Sequence, residues 1–163
     1  MVNTQPVVIK DARLIFKNFA GKPDRYHKDG GIRSFCIILD PVIAERLSSD
    51  GWNVRYLRPR EELEDPTPYI QVSVSFKNRP PRIVSITQGG KRKTPVTEQT
   101  VEMLDYAEMQ KVDLTIVPYF WEMNGSSGIK AYLRSMFVTL VEDELDELYA
   151  DEEPYEPEFD DVF

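Results

Sequence analysis

Lys130, Tyr132 and Arg134 recur at every second position of GIKAYLRSM, alternating with Ile129, Ala131 and Leu133. In an extended chain this spacing puts the cations and the ring on one face and the apolar residues on the other. Ammonium and guanidinium groups attract phosphates, and a phenol ring between them offers a flat surface to a base. The row therefore suits a single-stranded nucleic acid. An ordinary solvent-facing sheet, covered by cross-strand aromatic pairs, would carry the same residues. The preceding segment KVDLTIVPYFWE adds Val117, Tyr119 and Trp121, again at alternate positions. Antiparallel pairing of the two segments can set these rings beside Tyr132.

Further bases are scattered around this row. Tyr26 stands among bases in DRYHK, Arg33 opens RSFCIILD, and Arg55 lies within GWNVRYLR. Lys77, Arg79 and Arg82 cluster in KNRPPR, and Lys91, Arg92 and Lys93 form the basic tip of GGKRKT. Each of these runs alone is also what a solvated surface presents, so they count as supporting contacts. Trp52 reads as a core plug in preference to a base platform.

The charge is unevenly distributed. From Glu142 onward there are twelve acidic residues and no Lys or Arg, out of 28 acids and 20 bases in all. Residues 1–141 thus hold 16 acids against 20 bases, about +4, while the last 22 residues hold −12. A basic body tethered to an acidic tail suggests a polyanion-binding surface that carries a mimic of its own ligand. The tail closes on Asp160, Asp161, Val162 and Phe163. A terminal ring beside a carboxylate is a compact anchor: the ring enters an apolar pocket and the anion meets an Arg or Lys. As a flexible chain the tail reaches roughly 25 Å, against a radius of gyration of about 14 Å for the body. It can therefore touch its own groove, a neighbour's groove or another protein.

Catalytic chemistry finds little support. His27 is the single histidine and Cys36 the single cysteine. With no second His and no Cys pair there is no zinc set, and no Ser-His or Cys-His nucleophile couple is evident. GGKRKT lacks the earlier glycine and the Ser/Thr directly after Gly-Lys that a phosphate loop requires. Glu61 and Glu62 read as a solvated loop. Neither a cofactor nor a metal is expected, and the protein is not expected to be an enzyme. Cys36, inside the apolar run SFCIILD, reads as a buried, unreactive thiol, and a lone cysteine fits a reducing cytoplasmic setting. No stretch approaches the roughly 18 apolar residues of a membrane span, and the first residues do not open a signal peptide.

The elements that must position the bases are mostly strands. VVIKDARLIF (7–16), RSFCIILD (33–40), WNVRYLR, YIQVSVSFK (69–77), PPRIVSITQ, KVDLTIVPYFWE (111–122) and GIKAYLRSMFVTLV (128–141) all read as extended. MNGSSG supplies a hairpin turn between the last two. PVIAERLSSDG (41–51) predicts a short helix with Pro41 in its first turn, Val42, Ile43 and Leu47 in its apolar stripe, and Gly51 as its stop. TEQTVEMLDYAE (97–108) predicts a second, capped by Thr97. Residues 59–68 and GGKRKT (89–94) read as loops. Many short strands with polar turns point to a mainly β domain over 1–141, a small Greek-key barrel or sandwich. A five-stranded OB barrel with elaborated loops and one or two short helices fits the count. Residues 142–163 are expected to form a disordered acidic tail.

The succession FKNFAGKPDRY, GGIRSFCIILD, ERLSSDGWNVRYLRPRE, YIQVSVSFKNRPPRI and GIKAYLRSMFVTL, closed by the acidic tail and Phe163, resembles phage-encoded single-stranded-DNA-binding proteins over essentially the whole chain. GWNVR, KNRPPR and GIKAYLRSM are its most specific elements. The resemblance implies an OB fold, sequence-tolerant binding of single strands, and a part in phage DNA replication or recombination in the cytoplasm of an infected bacterium. It also implies a tail that docks replication or recombination proteins through its terminal aromatic and competes with DNA for the basic groove. Two rivals stay open on the residues alone: a protein-interaction adaptor with an acidic recruiting tail, and an architectural binder of RNA or duplex. A homodimer is compatible with all three readings.

Overall fold

The computed structural model describes residues 5–25, 28–59, 61, 64–77 and 79–142. Tyr26 and all of the tail beyond Glu142, including Asp160, Asp161, Val162 and Phe163, lie outside the described residues. The architecture is mainly β and OB-like: nine strands join in one open sheet, with a single α-helix beside them among the described residues.

β1 (Val7–Ile9) and β2 (Arg13–Asn18) come from the stretch expected as one strand. The chain turns between them at Asp11, whose φ of 51° is one that Asp tolerates better than most residues. The Asp113 carboxylate accepts its N–H at 3.0 Å. This corner lets β1 pair with β8 (Met109–Met123) while β2 pairs with β3 (Arg33–Ile38). Helix α1 (Pro41–Ser49) starts where expected, with the Asp40 carboxylate accepting the Val42 N–H at 2.9 Å. Its buried residues are Ala44 and Leu47, one turn apart, whereas Val42 and Ile43 face out. The expected apolar stripe was therefore rotated: Ala44 is small enough to let the helix sit close to the sheet.

β4 (Val54–Leu57) and β5 (Thr67–Val74) follow, and Ile70, Val72 and Val74 fill the core as their alternation requires. Trp52 is buried and bridges to Ile129, so it is a core residue. Cys36 is also buried, and desolvation outweighs the nearby Arg55 to push its thiol up to about 11.

Two local expectations fail. GGKRKT is a hairpin and not a loop. β6 (Arg82–Thr87) turns through Gln88–Gly90 into β7 (Arg92–Val96), which among the described residues pairs only with β6. An edge position explains why β7 accommodates Pro95 and two bases, features that argue against a central strand. The segment 97–108 is not an α-helix; it holds one 3-10 turn, Val101–Asp105. Thr97 does not cap it but donates its N–H to Thr100 Oγ1 at 2.9 Å, a local bond that competes with helix formation. At the other end Lys17 Nζ donates to the Leu104 and Ala107 carbonyls, and the Asp105 carboxylate accepts the Phe19 and Ala20 N–H groups. Backbone groups that a longer helix would use are thus held by β2 and its continuation.

The last two strands, β8 (Met109–Met123) and β9 (Ser126–Leu140), form one long hairpin. Asn124 (φ 52°) and Gly125 (φ 82°) make its two-residue turn, the positive angles matching the strand twist.

Candidate nucleic-acid interface

β9 organises the site. On one side it pairs with β8 along its length. On the other it meets β5 through Ser73↔Tyr132 and then β6 from Arg82↔Ser135 onward, both parallel. The chain leaving β5 must therefore step away from the sheet before re-entering as β6. Residues 75–77 and 79–81 lie in that step. At the same level β9 carries a bulge: Thr115 faces Ser135 and Ile116 faces Leu133, leaving Arg134 as the extra residue. A bulge bends the strand and re-aims a side chain. Here it ends one alternation (Ile129, Ala131 and Leu133 buried) and starts another (Met136 and Val138 buried), with Arg134 exposed between them.

The gap and the bulge together open a groove of about 940 Å³. Arg79, Arg82 and Arg134 supply its charge and Tyr119 and Tyr132 its rings, and among the described residues no acidic one lines it. Tyr119 and Tyr132 meet edge to face, with centroids 5.6 Å apart and an interplanar angle of 76°. Edge-to-face packing holds each ring upright while leaving ring surface open. Lys130 Nζ lies 5.2 Å from the Tyr132 centroid, and the Arg82 guanidinium lies 5.4 Å from that of Phe137. These contacts orient cations without neutralising them, unlike an ion pair. Such a surface can hold a chain of phosphates and stack bases on the rings.

Trp121 extends the aromatic row. It pairs with Gly128, where an added Cβ would come within 3.0 Å of the indole, so the missing side chain lets the ring lie across the ribbon. Val117, Tyr119 and Trp121 share the face of Lys130 and Tyr132 by register, as their spacing predicted.

The remaining candidates are dispersed. Arg33 pairs in register with Val74, on the opposite side of the sheet from Ser73 and Tyr132. There it meets Glu98 at 3.5 Å and lies 5.6 Å from the Phe76 ring, a structural use. Lys77 is exposed near the groove but does not line it. Arg55 faces Tyr69 on β4, away from the groove. Lys91, Arg92 and Lys93 stand at the far end of β6–β7. Arg92 lines a separate cavity of about 280 Å³ with Met103 and Leu140, whereas Lys93 pairs with Ile86, on the face of Arg82. Sequence reasoning missed Ser75, Pro80 and Phe137. The first two line the groove and the third seats Arg82, and no local pattern distinguishes them.

No helix of the described residues is long and apolar enough to cross a membrane, and no group of three or more His, Cys, Asp or Glu among them could hold a metal ion.

No curated protein sequence matches this one. Among solved structures, the single-stranded DNA-binding protein of bacteriophage Enc34 in complex with ssDNA is similar in fold. Its TM-score is 0.56 at 11% identity, covering 85% of this chain and 88% of that one. A C-terminal truncation of the same phage protein gives a TM-score of 0.54 at 11% identity, covering 85% and 87%. The family model described as "Putative phage ssDNA-binding domain" matches residues 2–162. With nearly the whole sequence inside that match, the chain belongs to the phage ssDNA-binding domain family.

Proposed function

We propose that the protein binds single-stranded DNA with little sequence preference and serves phage DNA replication or recombination. One observation carries the reading: a groove whose charged lining, among the described residues, is Arg79, Arg82 and Arg134, and whose walls present two upright tyrosines. Arginines there meet phosphates, and the rings accept any base because every base has a flat face. Family membership and the Enc34 fold, seen with ssDNA, support the same ligand. The body is a binder and not an enzyme, with the acidic tail from Glu142 as a second functional unit. Its setting is the cytoplasm of an infected bacterium.

The tail has two separable roles in this reading. Its twelve carboxylates compete with DNA for the groove, an effect screened within about 8 Å at physiological salt. Phe163 and the terminal carboxylate dock a replication or recombination protein through an apolar contact that salt barely weakens. Titration of full-length protein, a variant lacking residues 142–163, and Phe163→Ala with oligo-dT at low and high salt tests the competitor role, and capture of a replication or recombination protein by the same three tests the docking role. Truncation tightens binding, most at low salt, while Phe163→Ala leaves DNA affinity unchanged and abolishes partner capture. Unchanged binding on truncation at low salt removes the competitor role. Phe163→Ala matching the truncation shows that the roles are not separable.

A further inference from the structure

Phe16 is exposed over 64% of its surface and holds a φ of 51°, left-handed backbone that a bulky residue adopts only at a cost. It sits in a bulge of β2, between the Ile15↔Cys36 and Asn18↔Ser34 pairs. Neither burial nor β-propensity accounts for an aromatic there. A strained residue with an exposed ring, at a bulge, points to function.

The register shows what the bulge aims the ring at. Arg13 pairs with Ile38, Ile38 with Tyr69, and Tyr69 with Arg55, so these residues form one row across β2, β3, β5 and β4 on a single face. Phe16 leans onto the middle of that row, its ring meeting Tyr69 edge to face at 6.1 Å and 73°. Two exposed arginines flanking an aromatic pair repeat the composition of the Tyr119–Tyr132 groove. The two places share one surface. Ser73, which pairs with Tyr132, lies on the same face of β5 as Tyr69, four residues or about 13 Å along the strand.

We propose that Phe16 and Tyr69, flanked by Arg13 and Arg55, are a second base-stacking platform. It carries a bound single strand out of the groove and across the outer face of β5, β3 and β2. This rests on the single-stranded-DNA reading of the groove and adds a length to it. Short oligonucleotides fill the groove alone, whereas longer ones reach the platform.

The test uses the full-length protein and oligo-dT of about 4 and about 16 nucleotides, spanning the site sizes of an OB fold. Phe16→Asn removes the ring while suiting the left-handed backbone, and Phe16→Trp keeps a ring. Loss of a stacked base predicts that Phe16→Asn binds the longer oligonucleotide about tenfold more weakly, leaves the shorter one unchanged, and keeps the wild-type melting temperature or raises it. Phe16→Trp retains wild-type affinity for both. Wild-type affinity of Phe16→Asn for the longer oligonucleotide overturns the platform, and so does equal weakening for both lengths. If the wild-type protein binds neither length, the groove reading itself fails and the platform falls with it.

Discussion

Within the β8–β9 ribbon, the half nearer the body and the half nearer the turn share one pattern of residue types but differ in burial. Val112, Leu114 and Ile116 lie in the core, whereas Phe120, on the same face as Ile116, is 50% exposed. On the opposite face Tyr119, Trp121 and Met123 are exposed as well. The difference comes from neighbours. β1 covers the flank of β8 from Leu114 to Ile116, and β6 covers that of β9 from Ser135 to Thr139. Beyond them, among the described residues, the ribbon pairs with β5 and with the Gly51–Asn53 stretch through the Trp52 bridge. Alternation makes a strand, but what packs on each side decides whether its aromatics become core or binding surface. The groove lies at the junction, where the bulge at Arg134 separates the two regimes.

The two halves should differ most in stability. Ile116→Ala should cost about 2–5 kcal/mol in denaturant unfolding, as a buried deletion does. Phe120→Ala, on the same face but exposed, should change stability by no more than about 0.5 kcal/mol. Equal losses would mean that the outer half is as packed as the inner. Binding should show the reverse order. Tyr132→Ala should weaken oligo-dT affinity by about 1–3 kcal/mol without unfolding the domain, measured by fluorescence titration alongside thermal melting. Leu133→Ala should unfold it by about 2–5 kcal/mol, since Leu133 is buried.

Smaller effects sharpen the picture at the junction. Arg134→Ala should flatten the dependence of log K on log salt by about 0.7, one phosphate contact of a single strand. No change in slope would place the bulge residue off the path. Gly128→Ala should push the Trp121 indole off the ribbon, seen as a shift in tryptophan emission, with stability changed by less than about 1 kcal/mol. An unaltered spectrum would show that the ring does not depend on the missing side chain.

Much of this was legible in the residues. Asn124-Gly125 announced the hairpin, and alternate spacing placed Lys130, Tyr132, Tyr119 and Trp121 on one face because both properties are local. The bulge left a trace too: Leu133 and Met136, both buried, stand three apart where a regular strand would space them by two. The groove was not legible. It depends on β5 and β6 meeting the same edge of β9, pairings between residues far apart in sequence. Arg33 shows the same limit, since its pairing with Glu98 depends on the packing of 97–105 against the sheet. β7 was hidden by residues suited to a loop, which an edge strand tolerates. Phe16 escaped notice because an apolar residue inside an apolar run gives no sign of facing outward.

The most direct test of the central claim is the salt dependence of oligo-dT binding by the full-length protein at fixed pH, with duplex DNA as competitor. Four cations at the groove, Arg79, Arg82, Lys130 and Arg134, predict a log–log slope of about −3 for a single strand. Duplex should compete poorly, because its bases offer no open faces to Tyr119 and Tyr132. A flat response to salt, or duplex competing as well as oligo-dT, would contradict the account.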